Sequence, residues 1–148
     1  MEPAPLGVIL DSSILIEAER QRRDAVRLLQ RIRSQVGIYP LAICAISVAE
    51  LAHGIYRANT PARRIARREF LDDLKAAIPT FSITSDTAEL VGRIGAETAL
   101  LGIIIPSDDL LIGTCALEQN YAVLTHNLRH FRKIPGLQVI ALESAGSR

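Results

Sequence analysis

Four polar positions in this sequence either follow an apolar run or open a predicted helix. Three are carboxylates and one is an amide: Asp11, Glu50, Asp109 and Asn127. Carboxylates that cluster repel one another, and a divalent cation removes that cost. Because oxygen-only ligand sets favour Mg²⁺ or Mn²⁺ over zinc, these residue types predict a site for a hard cation. A metal held by acids in this way suits the activation of water for phosphodiester hydrolysis.

The apolar stretches of the chain must bring these four positions together. Short apolar runs predict buried strands at residues 6–10, 41–45, 122–125 and 137–142, with a brief extended piece at 81–83. They alternate with helical patterns in the order β-α-α-β-α-α-β-α-α-β-α-β. This order predicts an α/β fold with three layers, α/β/α, around a central, mainly parallel sheet. The carboxyl ends of parallel strands share one edge, where such folds bind ligands, so the polar positions are expected there.

The helices are predicted from apolar residues that recur at a spacing near 3.6. They cover residues 12–19, 21–34, 47–56, 62–78, 85–101 and 110–119. Ser47 and Glu50 match the S-x-x-E pattern of a capping box, so the third helix is expected to begin at Ser47. Ser85 and Asp86 are expected to cap the fifth, and Asn120 to close the last. Residues 103–105 are predicted to be extended, and residues 131–136 to form a turn.

Each polar position also has a purely structural interpretation. Asp11 can cap the helix that follows it, and Glu50 can be the glutamate of the capping box. Asp108 and Asp109 lie in the first turn of a helix, where the macrodipole favours acids by about 0.3–1 kcal/mol. Asn127 can simply accept a positive φ in a turn. The functional interpretation therefore depends on all four positions lying at strand ends or helix N-termini.

The composition predicts one domain, residues 1–148, with residues 144–148 as a frayed tail. Cys44 and Cys115 lie in apolar surroundings without CxxC spacing, so we expect reduced core thiols. The N-terminus has no basic region followed by an apolar one, and no apolar run approaches about 20 residues. Neither a signal peptide nor a membrane span is expected, and a soluble, cytoplasmic protein follows.

Four blocks of the sequence resemble the motifs of PIN-domain nucleases and occur in that family's order. The blocks are residues 8–16, 47–54, 102–117 and 123–131. They contain, respectively, the four polar positions named above, and together they cover almost the whole chain. The small single-domain form resembles the VapC-type toxins of type II toxin–antitoxin systems.

The resemblance implies a Mg²⁺- or Mn²⁺-dependent endoribonuclease with Asp11, Glu50 and Asp109 as the acidic, metal-binding cluster. Asp109, rather than Asp108, takes the catalytic place because it stands three residues before Ile112 in the family's D-x-x-I-small pattern. The side chains implied to support the site are Ser13, Thr125 and Asp108.

Two positions depart from the family pattern. The fourth family position is often Asp, whereas Asn127 offers a carbonyl ligand and lowers the negative charge of the site by one. The lower charge disfavours tight binding of a second metal and leaves the predicted fold unchanged. Gly113 stands where Ala is commoner.

The resemblance also implies partners. Such toxins form homodimers, are silenced by a cognate VapB-type antitoxin, and cut structured RNA of the transfer or ribosomal class. Arginines would hold the RNA backbone, because guanidinium groups bind phosphate bidentately. The candidates are Arg57, Arg63, Arg64, Arg129 and Arg132. The stretch between Arg57 and Arg68, which has five arginines and no acid, can also be a solvated basic face.

Three other functions are compatible with the sequence. A phosphatase of the haloacid dehalogenase type, or another phosphotransfer domain, also ends its first strand in Asp but needs an acid where this chain has Ser13. A catalytically weak RNA-binding PIN module is favoured by Asn127 and predicts RNA retention without cleavage. An interaction protein, whose acids only cap helices, predicts that Asp11→Ala and Asp109→Ala destabilise the fold.

Overall fold

The central layer of the molecule is a sheet, seen in a computed structural model that describes residues 3–143. Its strands are β1 (Val8–Leu10), β2 (Leu41–Cys44), β3 (Thr80–Phe81), β4 (Ala122–Thr125) and β5 (Val139–Ala141). The helices are α1 (Ser12–Arg20), α2 (Ala25–Val36), α3 (Ala45–Tyr56), α4 (Pro61–Ala77), α5 (Ser85–Leu100), α6 (Ser107–Gln119) and α7 (Leu128–Phe131). Their order along the chain is the order predicted from the sequence.

The strands lie in the order β3-β2-β1-β4-β5, and each neighbouring pair is parallel. The predicted α/β fold with a parallel sheet is therefore confirmed. Strand β1 is central, since Val8 is in register with Leu41 on one side and with Ala122 on the other. Leu10 is opposite Leu124, so Asp11, which follows β1, and Thr125, which ends β4, are neighbours at the carboxyl edge of the sheet.

Two hydrophobic cores cover the faces of the sheet. Successive side chains of a strand point to opposite faces, so Val8 and Leu10 enter one core and Ile9 enters the other. The first core is filled from α1, α2, α3 and α4, and the second mainly from α5 and α6. Because β1, β2 and β4 are covered on both faces, their sequences are apolar throughout rather than alternating.

Two predicted helix starts were wrong. Helix α3 begins at Ala45 rather than Ser47, so Ser47 and Glu50 form no capping box. Helix α2 begins at Ala25 rather than residue 21, because Arg22 adopts a left-handed conformation (φ 58°) and the Asp24 side chain caps the helix by accepting the N–H of Arg27.

Further differences lie in the second half of the chain. The capping box of α5 is formed by Thr84 and Thr87, one position before the predicted cap. Residues 103–105, predicted to be extended, belong to no helix and join no strand pairing among residues 3–143. The predicted turn at 131–136 is preceded by the short helix α7, whose last residue, Phe131, is fully buried.

Several smaller predictions can also be compared. Asn120 closes α6 in the left-handed conformation, as expected. Cys44 and Cys115 are free and buried, which confirms the prediction of core thiols. Among residues 3–143, every helix is too short or too polar to cross a membrane. The predicted frayed tail, residues 144–148, lies outside the described residues.

Candidate active site

Asp11 lies at the carboxyl edge of the sheet, directly after β1, and is only 2% exposed. Its Oδ2 atom accepts two hydrogen bonds of 2.7 Å, from the hydroxyls of Ser13 and Thr125. The carboxylate is therefore held both by the first turn of α1 and by the neighbouring strand β4. Asp11 precedes α1, yet its side chain makes no capping hydrogen bond there. The interpretation of Asp11 as a helix cap was wrong.

Glu50 lies on α3 and is joined to the start of α1 by a pair of serines. The hydroxyl of Ser12 donates to Oε1 of Glu50 at 2.7 Å and shares a second 2.7 Å hydrogen bond with the hydroxyl of Ser47. Ser12 has one proton to give, so Ser47 must donate to Ser12. Both serines are buried, and the chain of hydrogen bonds places Glu50 beside the residue that follows Asp11.

Asp109 lies in the first turn of α6 and is 9% exposed, whereas the neighbouring Asp108 is exposed. Oδ2 of Asp109 is 2.7 Å from Nδ1 of His130, which lies on α7. The structure thus distinguishes the two adjacent acids: Asp109 is turned into the protein and paired with a histidine, and Asp108 faces solvent. The position of both in the first turn also agrees with the macrodipole interpretation.

Asn127 is linked to the residues of the site by hydrogen bonds of its backbone. Its N–H donates to Oγ1 of Thr125 at 2.8 Å, and its carbonyl accepts the N–H of His130 at 3.1 Å. Its φ of −107° excludes the interpretation as a positive-φ turn residue. The residue is exposed, and the hydrogen bonds found within residues 3–143 do not join its side chain to the acids. A ligand role for its amide oxygen stays a prediction.

The acids act on one another electrostatically. Burial raises the pKa of Glu50, and the charges of Asp108, Asp11 and Asp109 raise it further, while the hydrogen bond from Ser12 opposes them. Burial likewise raises the pKa of Asp109, assisted by Asp11 and Asp108 and opposed by His130. The hydrogen bonds from Glu50 to Ser12 and from Asp109 to His130 bring both acids toward the end of the sheet where Asp11 lies, so negative charge is concentrated there.

The donor set has the chemistry of a hard-cation site. It offers carboxylate oxygens alone, and the repulsion among them would be relieved by a divalent cation. Among residues 3–143, however, no group of three or more His, Cys, Asp and Glu side chains is already arranged to hold a metal ion. The three acids, Asp11, Glu50 and Asp109, therefore fit Mg²⁺ or Mn²⁺ by residue type and charge, although their side chains do not form such a group.

The candidate RNA contacts lie on the surface. The five arginines named from the sequence are all exposed: Arg57, Arg63, Arg64, Arg129 and Arg132. Arg129 lies on α7 and Arg132 directly follows that helix, whereas the others lie at the end of α3 and the start of α4. Arg67, from the same basic stretch, instead pairs with Glu19 in a partly buried ion pair. The stretch is thus divided between structural and exposed arginines.

Sequence reasoning missed three residues of the site: Ser12, Ser47 and His130. The sequence predicts Ser47 as a helix cap, and its buried position inside α3 reverses that interpretation. His130 gives no metal-site signal in the sequence because it forms no i, i+4 histidine pair on one helix: His126 is four residues earlier but precedes α7. A usable signal existed, since His130 follows Asn127 by three residues and therefore lies on the same side of a helical turn.

Comparisons with known proteins show which family this chain resembles. A family model described as the PIN domain matches residues 8–137. A ribonuclease VapC1 of Rickettsia felis is 29% identical over 140 residues, which cover 94% of this chain and 98% of that protein. A tRNA(fMet)-specific endonuclease VapC of Salmonella typhimurium is 29% identical over 142 residues, with coverage of 90% and 96%.

Solved structures show the same fold. A chain from VapBC2 of Rickettsia felis, bound to a DNA fragment from the promoter, matches with a TM-score of 0.77 at 22% identity and covers 92% of this chain and 98% of its own. DNA-bound VapBC from Salmonella typhimurium gives a TM-score of 0.76 at 23% identity, with coverage of 93% and 99%. At 22% and 23% identity, these two matches show the fold alone.

Proposed function

This chain belongs to the PIN-domain family, and from that premise we propose that it is a metal-dependent endoribonuclease that acts as the toxin of a toxin–antitoxin pair. The observation that supports the proposal is the set of hydrogen bonds that ties Asp11 to Thr125, Glu50 to Ser12, and Asp109 to His130, near the carboxyl ends of β1 and β4. The curated relatives named ribonuclease and endonuclease VapC, matched over nearly their whole length, support the same activity.

Each acid has a distinct part in the proposed reaction. Asp11 is fixed by Ser13 and Thr125 through Oδ2, and Asp109 is held by His130, so both carboxylates have a defined orientation and would hold a cation. Glu50, whose pKa is raised, would bind the cation or orient the attacking water. A bound Mg²⁺ or Mn²⁺ would supply the activation of water and offset the negative charge at the phosphate.

The substrate is proposed to be structured cellular RNA, of the transfer or ribosomal class, and the compartment the cytoplasm. The exposed Arg129, on α7, and Arg132, directly after it, would hold the phosphate backbone near the acids. Arg57, Arg63 and Arg64 would contact the RNA backbone further from the acids. The proposed partners are a VapB-type antitoxin and a second copy of the chain. The matched solved structures, which are of VapBC proteins, support the antitoxin.

Cleavage of purified RNA tests the proposed function. The chain, freed of any antitoxin, is incubated with total transfer and ribosomal RNA in Mg²⁺, in Mn²⁺ and in EDTA, and the RNA ends are sequenced. We expect few cuts, 5′-phosphate ends and no cleavage in EDTA. Asp11→Asn should abolish cutting, whereas Asp86→Asn, at an exposed acid on α5, should not.

Two results would contradict the proposal. Cleavage in EDTA that survives Asp11→Asn would exclude a reaction at these acids. Retention of RNA without cleavage at any Mn²⁺ concentration would instead favour a PIN module that binds RNA and has lost activity. Multi-angle light scattering on the same preparation measures the predicted homodimer.

A further inference from the structure

A short hydrogen bond joins α7 to the acid of α6. Nδ1 of His130 lies 2.7 Å from Oδ2 of Asp109, and the Asp109 side chain is 12% exposed against 38% for His130. An ionised carboxylate only accepts hydrogen bonds, so Nδ1 must carry the proton in this contact. A neutral imidazole is sufficient for this, with its Nε2 atom unprotonated.

The segment between β4 and α7 determines where His130 lies. Thr125 ends β4 and accepts the backbone N–H of Asn127, whose carbonyl in turn accepts the N–H of His130. The next residue, Phe131, is fully buried and anchors α7 in the core. The same segment therefore orients Asp11 through the hydroxyl of Thr125 and reaches Asp109 through the imidazole of His130.

The Asp109 side chain depends on His130 for its orientation. It is largely buried, and the 2.7 Å contact with Nδ1 of His130 engages Oδ2 alone. Without that donor, the carboxylate would be freer to rotate. A carboxylate without a fixed orientation would be a weaker ligand for a cation.

We propose that His130 is a positioning residue, whose Nδ1–H holds Oδ2 of Asp109 and leaves the other carboxylate oxygen available to a divalent cation. The inference rests on the proposed function, because it concerns the same metal site. His130 acts through Asp109 and has no direct contact with the metal or the RNA. Donors that orient metal ligands in this way contribute about 10–100-fold to metal affinity or activity.

The first experiment measures Mn²⁺ affinity by isothermal titration calorimetry. His130→Leu should bind Mn²⁺ about tenfold or more weakly, whereas His130→Asn, which keeps an N–H near the position of Nδ1, should stay within about threefold of wild type. His126→Gln is the matched control: His126 lies in the same segment, is similarly exposed at 31% and pairs with Glu17. Its affinity should not change.

These affinities decide the inference. Wild-type Mn²⁺ affinity in His130→Leu would overturn the inference. Mn²⁺ binding by His130→Asn that is as weak as that of His130→Leu would also overturn it, because restoring an N–H donor would then have no effect. RNA cleavage by His130→Leu should recover when Mn²⁺ is raised, which a general folding defect would not allow. A wild-type protein that binds no Mn²⁺ would reject the metal role of His130 and of the acids together.

A second experiment examines the hydrogen bond without metal. Nitrogen-15 NMR of the metal-free protein at neutral pH should show a proton on Nδ1 of His130, and Asp109→Ala should return the ring to the ordinary Nε2–H form. An unprotonated Nδ1 in the wild type would overturn the inference whatever the cleavage assay gives. Conversely, a protonated Nδ1 and weak Mn²⁺ binding by His130→Leu, without any RNA cleavage, would reject the proposed function alone.

Discussion

The hydroxyl of Thr125 donates a 2.7 Å hydrogen bond to Oδ2 of Asp11, across 114 residues of chain. Thr125 is the last residue of β4, fully buried, and Asp11 directly follows β1, so the bond crosses between adjacent parallel strands at the edge where the acids meet. The same hydroxyl accepts the backbone N–H of Asn127. The orientation of the first acid is thus set by a neighbouring strand as well as by its own.

Replacing this hydroxyl should affect both stability and activity. Thr125→Val keeps the shape but removes the donor to Asp11 and leaves the N–H of Asn127 without its partner. We expect a loss of about 1–3 kcal/mol in the free energy of unfolding, measured by urea denaturation, and weaker Mn²⁺ binding. Thr125→Ser, which retains the hydroxyl, should behave much more like the wild type. Equal stability of the two variants would show that the bond contributes little.

The stability of the metal-free protein should depend on the charge of Glu50. Burial and the nearby Asp108, Asp11 and Asp109 raise the pKa of Glu50 above its ordinary 4.5 in the folded protein. The folded state then binds the proton more tightly than the unfolded state, so this group's contribution to stability is greatest at acid pH and falls as the pH rises above about 4.5.

Glu50→Gln should therefore gain stability relative to wild type as the pH rises from about 4.5 to 7, because the wild type alone acquires the charge. Urea denaturation in EDTA across this range measures the difference. Glu89→Gln, at an exposed acid on α5, is the control and should give a difference that changes little with pH. A constant difference for Glu50→Gln as well would mean that neither burial nor the other acids raise the pKa of Glu50.

The ion pair between Arg67 and Glu19 should hold α4 against α1. Nε of Arg67 lies 2.6 Å from Oε1 of Glu19, and its NH1 group donates to the carbonyl of Gly54 at 2.7 Å. Arg67→Met should lower the free energy of unfolding by about 2 kcal/mol, because it leaves a partly buried carboxylate and a carbonyl without their donor. Arg64→Met, at an exposed arginine on the same helix, should change stability little.

A double-mutant cycle in Arg67→Met and Glu19→Gln separates the ion pair from the rest of the arginine's packing. We expect the double variant to be more stable than the sum of the single losses implies, by about 0.5–3 kcal/mol. Additive losses would assign the effect of Arg67 to its contact with Gly54 and to its apolar stem.

The glycine at position 113 is explained by its neighbour Ile134. A Cβ atom on Gly113 would lie 2.3 Å from Cδ1 of Ile134 and 3.2 Å from Cδ2 of Leu137. Ile134 is buried, so it has little room to move. Gly113→Ala should destabilise the fold by about 1–3 kcal/mol in thermal or urea unfolding, as overpacking of a core commonly does.

Removing the clashing methyl group should relieve that loss. Ile134→Val deletes Cδ1, so Gly113→Ala combined with Ile134→Val should be more stable than Gly113→Ala alone, although Ile134→Val by itself costs about 0.5–1.5 kcal/mol. If the double variant is the least stable of the set, the close approach of α6 to Ile134 is not the reason for glycine at this position.

The sequence by itself determined the order of strands and helices. Strands β1, β2 and β4 are covered on both faces, and this burial requires continuous apolar runs, which are visible without a structure. The edge strands β3 and β5 are short and partly exposed, so burial constrains their composition less. Their bounds were accordingly predicted less well, as the shrinkage of 137–142 to Val139–Ala141 shows.

The sequence also predicted that Asp11 lies at the carboxyl edge of the sheet, because connectivity carries the end of each parallel strand there. The same argument could not place Asp109, since residues 103–105 join no strand pairing among residues 3–143. Nor could the sequence assign the partners of the acids. The S-x-x-E pattern of Ser47 and Glu50 fits a helix cap as well as a buried network, and only the start of α3 at Ala45 distinguishes them. Local patterns describe one element, and here the deciding contact is with Ser12 of another.

The tertiary structure decided which side chains hold the acids. His130 is 21 residues from Asp109, and their 2.7 Å contact depends on how α6 and α7 pack beside β4. That packing is set by volume and close approach, as at Gly113 and Ile134, and these are properties of two elements together. Because hydrogen bonding needs atoms placed to within a few tenths of an ångström, spacing along the chain could not reveal it.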